Sequence, residues 1–90
     1  MIQRIGVIGA GQMGNGIAHV AALAGYDVKL ADIDKAQLDK ALERIKQNMG
    51  RQIRRGLITE ADRTAALARI ETGQDYALFA DCDMVIEAAT

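Results

Sequence analysis

The sequence predicts an α/β fold, built as a parallel sheet wound in both directions. Three observations carry that reading. A short β-branched run, Ile5 to Ile8, ends in a glycine-rich turn, segments of helical periodicity alternate with further short apolar runs, and an acid closes the second of those runs. Alternating strands and helices imply parallel pairing through right-handed crossovers. Half of the 90 residues are hydrophobic and only 3% are aromatic, which suits tightly packed α/β layers better than a small all-β barrel.

Ile5, Val7 and Ile8 read as a buried parallel strand. Gly14 to Ala24 is small or aliphatic throughout, a helix able to approach a sheet closely and stopped by Gly25. Tyr26 to Asp32 is the second strand, with Val28 and Leu30 as its apolar positions. A long helix follows over about Lys35 to Arg55, where Leu38, Leu42, Ile45, Met49 and Ile53 recur at intervals of three and four. Gly50 lies inside it and weakens it by about 1 kcal/mol relative to alanine, with no reason visible in sequence. Gly56 ends it. Thr59 then reads as an N-cap, with Asp62 completing a capping box for a helix over Ala61 to Ala68. Ile70 to Thr72 is a short strand, Tyr76 to Ala80 a helical turn, and Met84 to Ala88 a last strand. With no proline, repeat or linker, residues 1–90 read as one partial domain, the N-terminal half of a doubly wound sheet.

Net charge is −1, so no global field calls for nucleic acid or an anionic membrane. Cys82 is the single cysteine, which excludes an intrachain disulfide and a cysteine-rich zinc site and fits a reducing compartment. No apolar run reaches the roughly 20 residues needed to span a bilayer. The expectation is a cytoplasmic protein.

The chemistry concentrates in Gly9-Ala10-Gly11-Gln12-Met13-Gly14, a G-x-G-x-x-G loop that follows a strand and opens a helix. Gly9 permits the tight turn, Gly11 lets backbone approach a pyrophosphate, and Gly14 lets helix pack on strand. Phosphate would sit on the free N–H groups at the positive end of the helix dipole. Asp32 follows Gly14 by 18 positions, where an acid accepts hydrogen bonds from the adenosine ribose and repels a 2′-phosphate. Together they mark a Rossmann-type site for NAD rather than NADP, with Lys35 as the one nearby cation and a solvated one.

Other residues carry less. Lys40, Arg44, Arg51, Arg54 and Arg55 fall in a sector of about 100° opposite the apolar stripe of the long helix, either a solvated face or a site for an anion larger than one phosphate. His19 lies among Ala and Val with no orienting carboxylate nearby, and reads as a partly packed surface residue rather than a base. Asp81 and Asp83 flank Cys82 and would raise its pKa. With Glu87 they border a strand, without the spacing of a metal site.

Ile5 through Gly14, then Gly16-Ile17-Ala18, resembles the start of the 3-hydroxyacyl-CoA dehydrogenases, their bacterial 3-hydroxybutyryl-CoA branch in particular. Asp32-Ile33, Gly56-Leu57-Ile58-Thr59 and Ala80 through Ala89 continue the resemblance along the whole chain. It implies a parent enzyme, active as a homodimer, that oxidises (S)-3-hydroxyacyl-CoA to 3-ketoacyl-CoA with NAD as hydride acceptor. It implies NAD contacts at Gln12, Met13, Asp32 and the backbone around Ala89 and Thr90. It also implies coenzyme A contacts at Arg51 and Arg55, where the family typically has lysines; arginine keeps the charge and changes the geometry. The family's catalytic histidine, its glutamate partner and the dimerising helical domain fall beyond residue 90. By the resemblance, no catalytic residue lies in these 90, and the chain alone does not turn over. A β-hydroxyacid dehydrogenase of the 6-phosphogluconate type shares the Gly-x-Met-Gly loop, though Val85 to Ala89 and the basic stripe favour the CoA branch. A third reading is a non-catalytic module that self-associates through an exposed edge at the last strand.

Overall fold

The computed structural model describes residues 1–89. Its elements follow the expected order: β1 (Arg4–Ile8), α1 (Gln12–Leu23), β2 (Asp27–Ala31), α2 (Lys35–Arg54), α3 (Glu60–Ala68), β3 (Ile70–Gly73), a 3-10 turn (Tyr76–Phe79) and β4 (Met84–Glu87). The strands form one parallel sheet in the order β3-β2-β1-β4. The first two crossovers step outward from β1 and lay the three α-helices on one face. The third steps back past β1, so the 3-10 turn lies on the other face, which is the double winding the sequence implied.

Strand alternation sorts the side chains between these faces. Val7, Val28 and Leu30 are fully buried beneath the helices with Ile45 and Met49 of α2. Gly6 points to the opposite face, where a Cβ would come within 2.6 Å of the Phe79 ring. A glycine there lets that ring lie directly on the sheet. Among the described residues, no helix is long and apolar enough to cross a membrane.

Two expectations need correction. The buried seam of α2 is Leu38, Ala41, Ile45 and Met49, while Leu42 is only half-buried. The seam passes through alanine because α1 comes close there, its Asn15 Nδ2 donating to the Ala41 carbonyl at 3.4 Å. His19 is buried rather than at the surface: its Nε2 lies 2.7 Å from the Gln52 amide oxygen, so an amide on α2 is its partner. Gly50 has no packing reason in the structure either, since a Cβ there would meet only the Arg63 guanidinium of α3, at an ordinary contact distance of 3.4 Å. The Thr59–Asp62 capping box is present as expected, and Asp34 caps α2 by accepting from the Ala36 N–H.

Asp83 ties the start of β4 to the start of β1. Its Oδ2 accepts from the backbone N–H of Gln3 at 2.8 Å and of Arg4 at 2.9 Å. These two donors, Gln3 first, hold the carboxyl below the usual aspartate pKa. A carboxyl whose native pKa is depressed adds stability while ionised and loses it as pH falls through that depressed value. In urea titrations at pH 7 and at about pH 3, the native chain is therefore expected to lose more stability on acidification than Asp83→Ala. Equal acid sensitivity of the two would mean that these bonds add nothing.

Candidate functional site

The two windings of the sheet diverge at the carboxyl ends of β1 and β4, the position where open α/β sheets bind ligands. The glycine loop occupies it. Gly9 has φ +98°, open to glycine and strained for other residues, and its N–H donates to the Ala31 carbonyl at 2.7 Å. A Cβ on Gly9 would also lie 2.8 Å from the Ala89 Cα, so the chain leaving β4 packs against the bare loop. On Gly14 a Cβ would overlap the Gly9 carbonyl oxygen, which places the first turn of α1 directly on the end of β1. Gly11 faces open space, with nothing within 4 Å of a Cβ position. No side chain caps α1. The N–H groups of its first turn, Gln12 and Met13 among them, have no acceptor one turn back and lie at the positive end of the helix dipole. That is the local chemistry of a phosphate site.

Asp32 stands at the rim. Its Oδ2 accepts the Ala10 N–H at 2.9 Å and its Oδ1 accepts the Asp34 N–H at 2.8 Å, so the acid is held by the loop it serves. A carboxylate has about four lone-pair sites, which leaves acceptor capacity for a diol. Lys35 is turned along its own helix to Asp39 at 3.1 Å. Gly9, Gly11, Asp32 and Ala89 border one hollow of about 360 Å³, together with Ile33, Gln37 and Ala88. The sequence assigned no role to those last three, because only the strand register and the start of α2 bring them to the rim.

The side chains of Gln12 and Met13 turn away from this hollow. They line an apolar groove of about 620 Å³ on the outer side of α1 with Ile17, Val20 and Ala24. Thr90 lies outside the described residues. Lys40, Arg44, Arg51, Arg54 and Arg55, the basic stripe on α2 and its C-cap, are all exposed. Arg51 donates to the Asn48 Oδ1 at 2.8 Å and, with Arg54, Lys46 and Arg63, borders a cleft of about 350 Å³ over Gly50 that also contains Glu43. Arg55 does not line that cleft. The Cys82 thiol is pushed up, by burial first and by Asp81 second.

Residues 4–90 match the family described as the NAD-binding domain of 3-hydroxyacyl-CoA dehydrogenase. The chain is 51% identical over 89 residues to a 3-hydroxybutyryl-CoA dehydrogenase of Bradyrhizobium diazoefficiens, covering 99% of this chain and 30% of that protein. Identity is 46% over 85 residues to a probable 3-hydroxybutyryl-CoA dehydrogenase of Deinococcus radiodurans, covering 94% of this chain and again 30% of the relative. The crystal structure of (S)-3-hydroxybutyryl-CoA dehydrogenase from Ralstonia eutropha superposes with a TM-score of 0.97 at 41% identity, covering the whole of this chain and 32% of that one. The chain thus spans about a third of the length of these relatives.

The open space at Gly11 and the contact at Gly14 separate binding from folding. Gly11→Ala is expected to unfold in urea at the native midpoint while binding NADH at least about tenfold more weakly, since the added methyl stands where a pyrophosphate approaches. Gly14→Ala is expected to lose stability itself. Unimpaired NADH binding by a folded Gly11→Ala would remove the loop from the site.

Proposed function

The chain belongs to the NAD-binding domain family of the 3-hydroxyacyl-CoA dehydrogenases, and on that premise we propose that it is the cofactor-holding part of an enzyme that moves a hydride between NAD and a (S)-3-hydroxyacyl-CoA. The observation that carries this reading is the hollow at the switch point, where an uncapped helix N-terminus and the Asp32 carboxylate border one space. The pyrophosphate lies over Gly11 on the first-turn N–H groups, and the adenosine ribose reaches Asp32. Gly9 and Ala89 bring backbone to the same rim. NAD, when bound, supplies the hydride acceptor; the residues here bind and orient it.

Family membership sets aside the 6-phosphogluconate reading. The single histidine of this chain, His19, is buried against Gln52 and faces α2 rather than the hollow, so it is not placed to act on a ligand bound there. Arg51 and Arg55 are the proposed contacts for coenzyme A. Both are exposed and carry the positive charge that its phosphates need, although only Arg51 borders the cleft over Gly50. The open edge of β4, with Met84 42% and Val85 45% exposed, supports a covering by further sheet or by a second chain.

Asp32 decides between the two nicotinamide dinucleotides, and its exchange tests the reading. The chain is expected to bind NADH more tightly than NADPH. Asp32→Asn removes the charge and turns an N–H toward one of its backbone donors, so NADH affinity falls several-fold and the gap to NADPH narrows. Equal affinity of the native chain for both cofactors would sink the assignment.

The stripe has its own test in the full-length enzyme. Arg51→Ala with Arg55→Ala should raise KM for acetoacetyl-CoA and leave KM for NADH nearly unchanged. Contacts of this type are worth about 1.5–3 kcal/mol when sheltered and much less on a wet helix face. The effect should therefore be small and shrink as salt is added. An unchanged KM for acyl-CoA at low salt would return these arginines to the solvated surface.

A further inference from the structure

Gly50 stands well inside the 20-residue helix α2, where a glycine costs helical stability and where packing gives it no role. A bare α-carbon also lets a ligand come close to backbone. The cleft of about 350 Å³ lies over this residue, and its charges are unbalanced: Lys46, Arg51, Arg54 and Arg63 face one acid, Glu43. Among the described residues, Lys46, Arg51 and Arg54 form no ion pair.

Two of the cations converge on one point. Arg54 Nη1 and Arg63 Nη1 lie 3.8 Å and 3.4 Å from the position that a Cβ on Gly50 would take. They come from different helices, so the hairpin of α2 and α3 brings them together, not the spacing within one helix. Like charges held this close repel, and among the described residues no carboxylate lies within 4 Å of the same point. Arg63 is also aimed. The Thr59–Asp62 capping box fixes the first turn of α3, and Glu60 accepts from Arg63 Nη2 at 2.7 Å and 3.1 Å. That pair occupies Nη2 and leaves Nη1 toward Gly50. With its side chain 31% exposed, Arg63 has little freedom left to lose when an anion arrives.

We propose that the cleft over Gly50 is a second anion site, one that takes a diphosphate group between Arg54 and Arg63. Guanidinium forks match the geometry of phosphate oxygens. An anion between two of them replaces one repulsion with two attractions, and Lys46 and Arg51 supply the remaining positive charge. A singly charged anion would leave most of these four cations unbalanced, whereas a diphosphate carries several charges in a compact group. Glu43 opposes an anion and is outnumbered. The missing side chain of Gly50 leaves the floor of the cleft open to the phosphate. The site is separate from the glycine loop and from Arg55, which does not line it, so it depends neither on the NAD reading nor on the proposed coenzyme A contact.

Inorganic pyrophosphate is the probe, added at low salt without divalent cations while the amide and guanidinium resonances of the native chain are followed by NMR. Residue-resolved shifts separate this cleft from the N-terminus of α1, which also attracts phosphate. Saturable shifts are expected at Gly50, Arg54 and Arg63, half-complete at about 1 mM or below, and sodium chloride at matched ionic strength should not reproduce them. Arg54→Gln and Arg63→Gln should each weaken this binding about fivefold or more. Gly50→Ala should raise the urea midpoint and yet weaken pyrophosphate several-fold. Arg44→Ala, which removes an equal charge from α2 outside the cleft, should leave pyrophosphate binding unchanged. ADP presents the same group on a nucleoside: tighter binding than pyrophosphate at these resonances makes the ligand a nucleotide, weaker binding makes it a free diphosphate, and either supports the site. Arg54 is exposed and alanine is the better helix former, so Arg54→Gln and Gly50→Ala carry the test if circular dichroism shows Arg63→Gln unfolded. Shifts that fail to saturate, that sodium chloride reproduces, or that keep the native affinity in both Arg54→Gln and Gly50→Ala would overturn the proposal.

Discussion

The contact between the bare α-carbon of Gly14 and the Gly9 carbonyl is the constraint on which this structure depends. No side chain fits between them. Because α1 begins directly on the end of β1, its first-turn N–H groups face the crevice at the carboxyl end of the sheet rather than bulk solvent. The same closeness lowers α1 onto Val7 and leaves Ala18 and Ala22 without exposure. A helix of small residues and a phosphate-binding turn are therefore two consequences of one packing distance. Larger residues at Ala18 or Ala22 would lift the helix and disturb the loop, although neither touches it.

Asp32 links that loop to the second strand. Its carboxylate accepts from Ala10 on one side and from Asp34 on the other, which joins the glycine loop, the end of β2 and the approach to α2 through a single group. An acid proposed to select a cofactor is thus also a brace for the apo loop. A ligand diol adds to an acceptor already oriented by backbone, rather than ordering a free side chain in water.

The two faces of the sheet are unequally furnished. Three α-helices cover one, while the other carries a single turn whose Phe79 rests over Gly6. The outer side of α1 is also uncovered, with Val20 68% and Met13 58% exposed. The polar and basic face of α2 differs in kind: its charges are solvated, and Arg51 takes a local partner in Asn48.

Local rules determined much of this protein from the sequence by itself. The glycine loop, the strand-end acid, the Thr59 capping box and the order of all eight elements were legible, because each depends on backbone geometry and on residues a few positions apart. Only tertiary structure decided which helix face was innermost, since Ala41 replaces Leu42 in the seam where α1 approaches. It also decided that His19 is buried against Gln52 and that Gly6 makes room for Phe79. Gln12 and Met13 share the loop motif, yet their side chains face the α1 groove because helical rotation turns them outward. Ile33 and Tyr76 stand 43 positions apart in the chain and border one slot beside Asp32 only because β2 and β3 end side by side. Periodicity and motif spacing report what a segment does with its own backbone; which side chains share a wall is fixed by strand order and crossover hand, and those exist only once the sheet has formed.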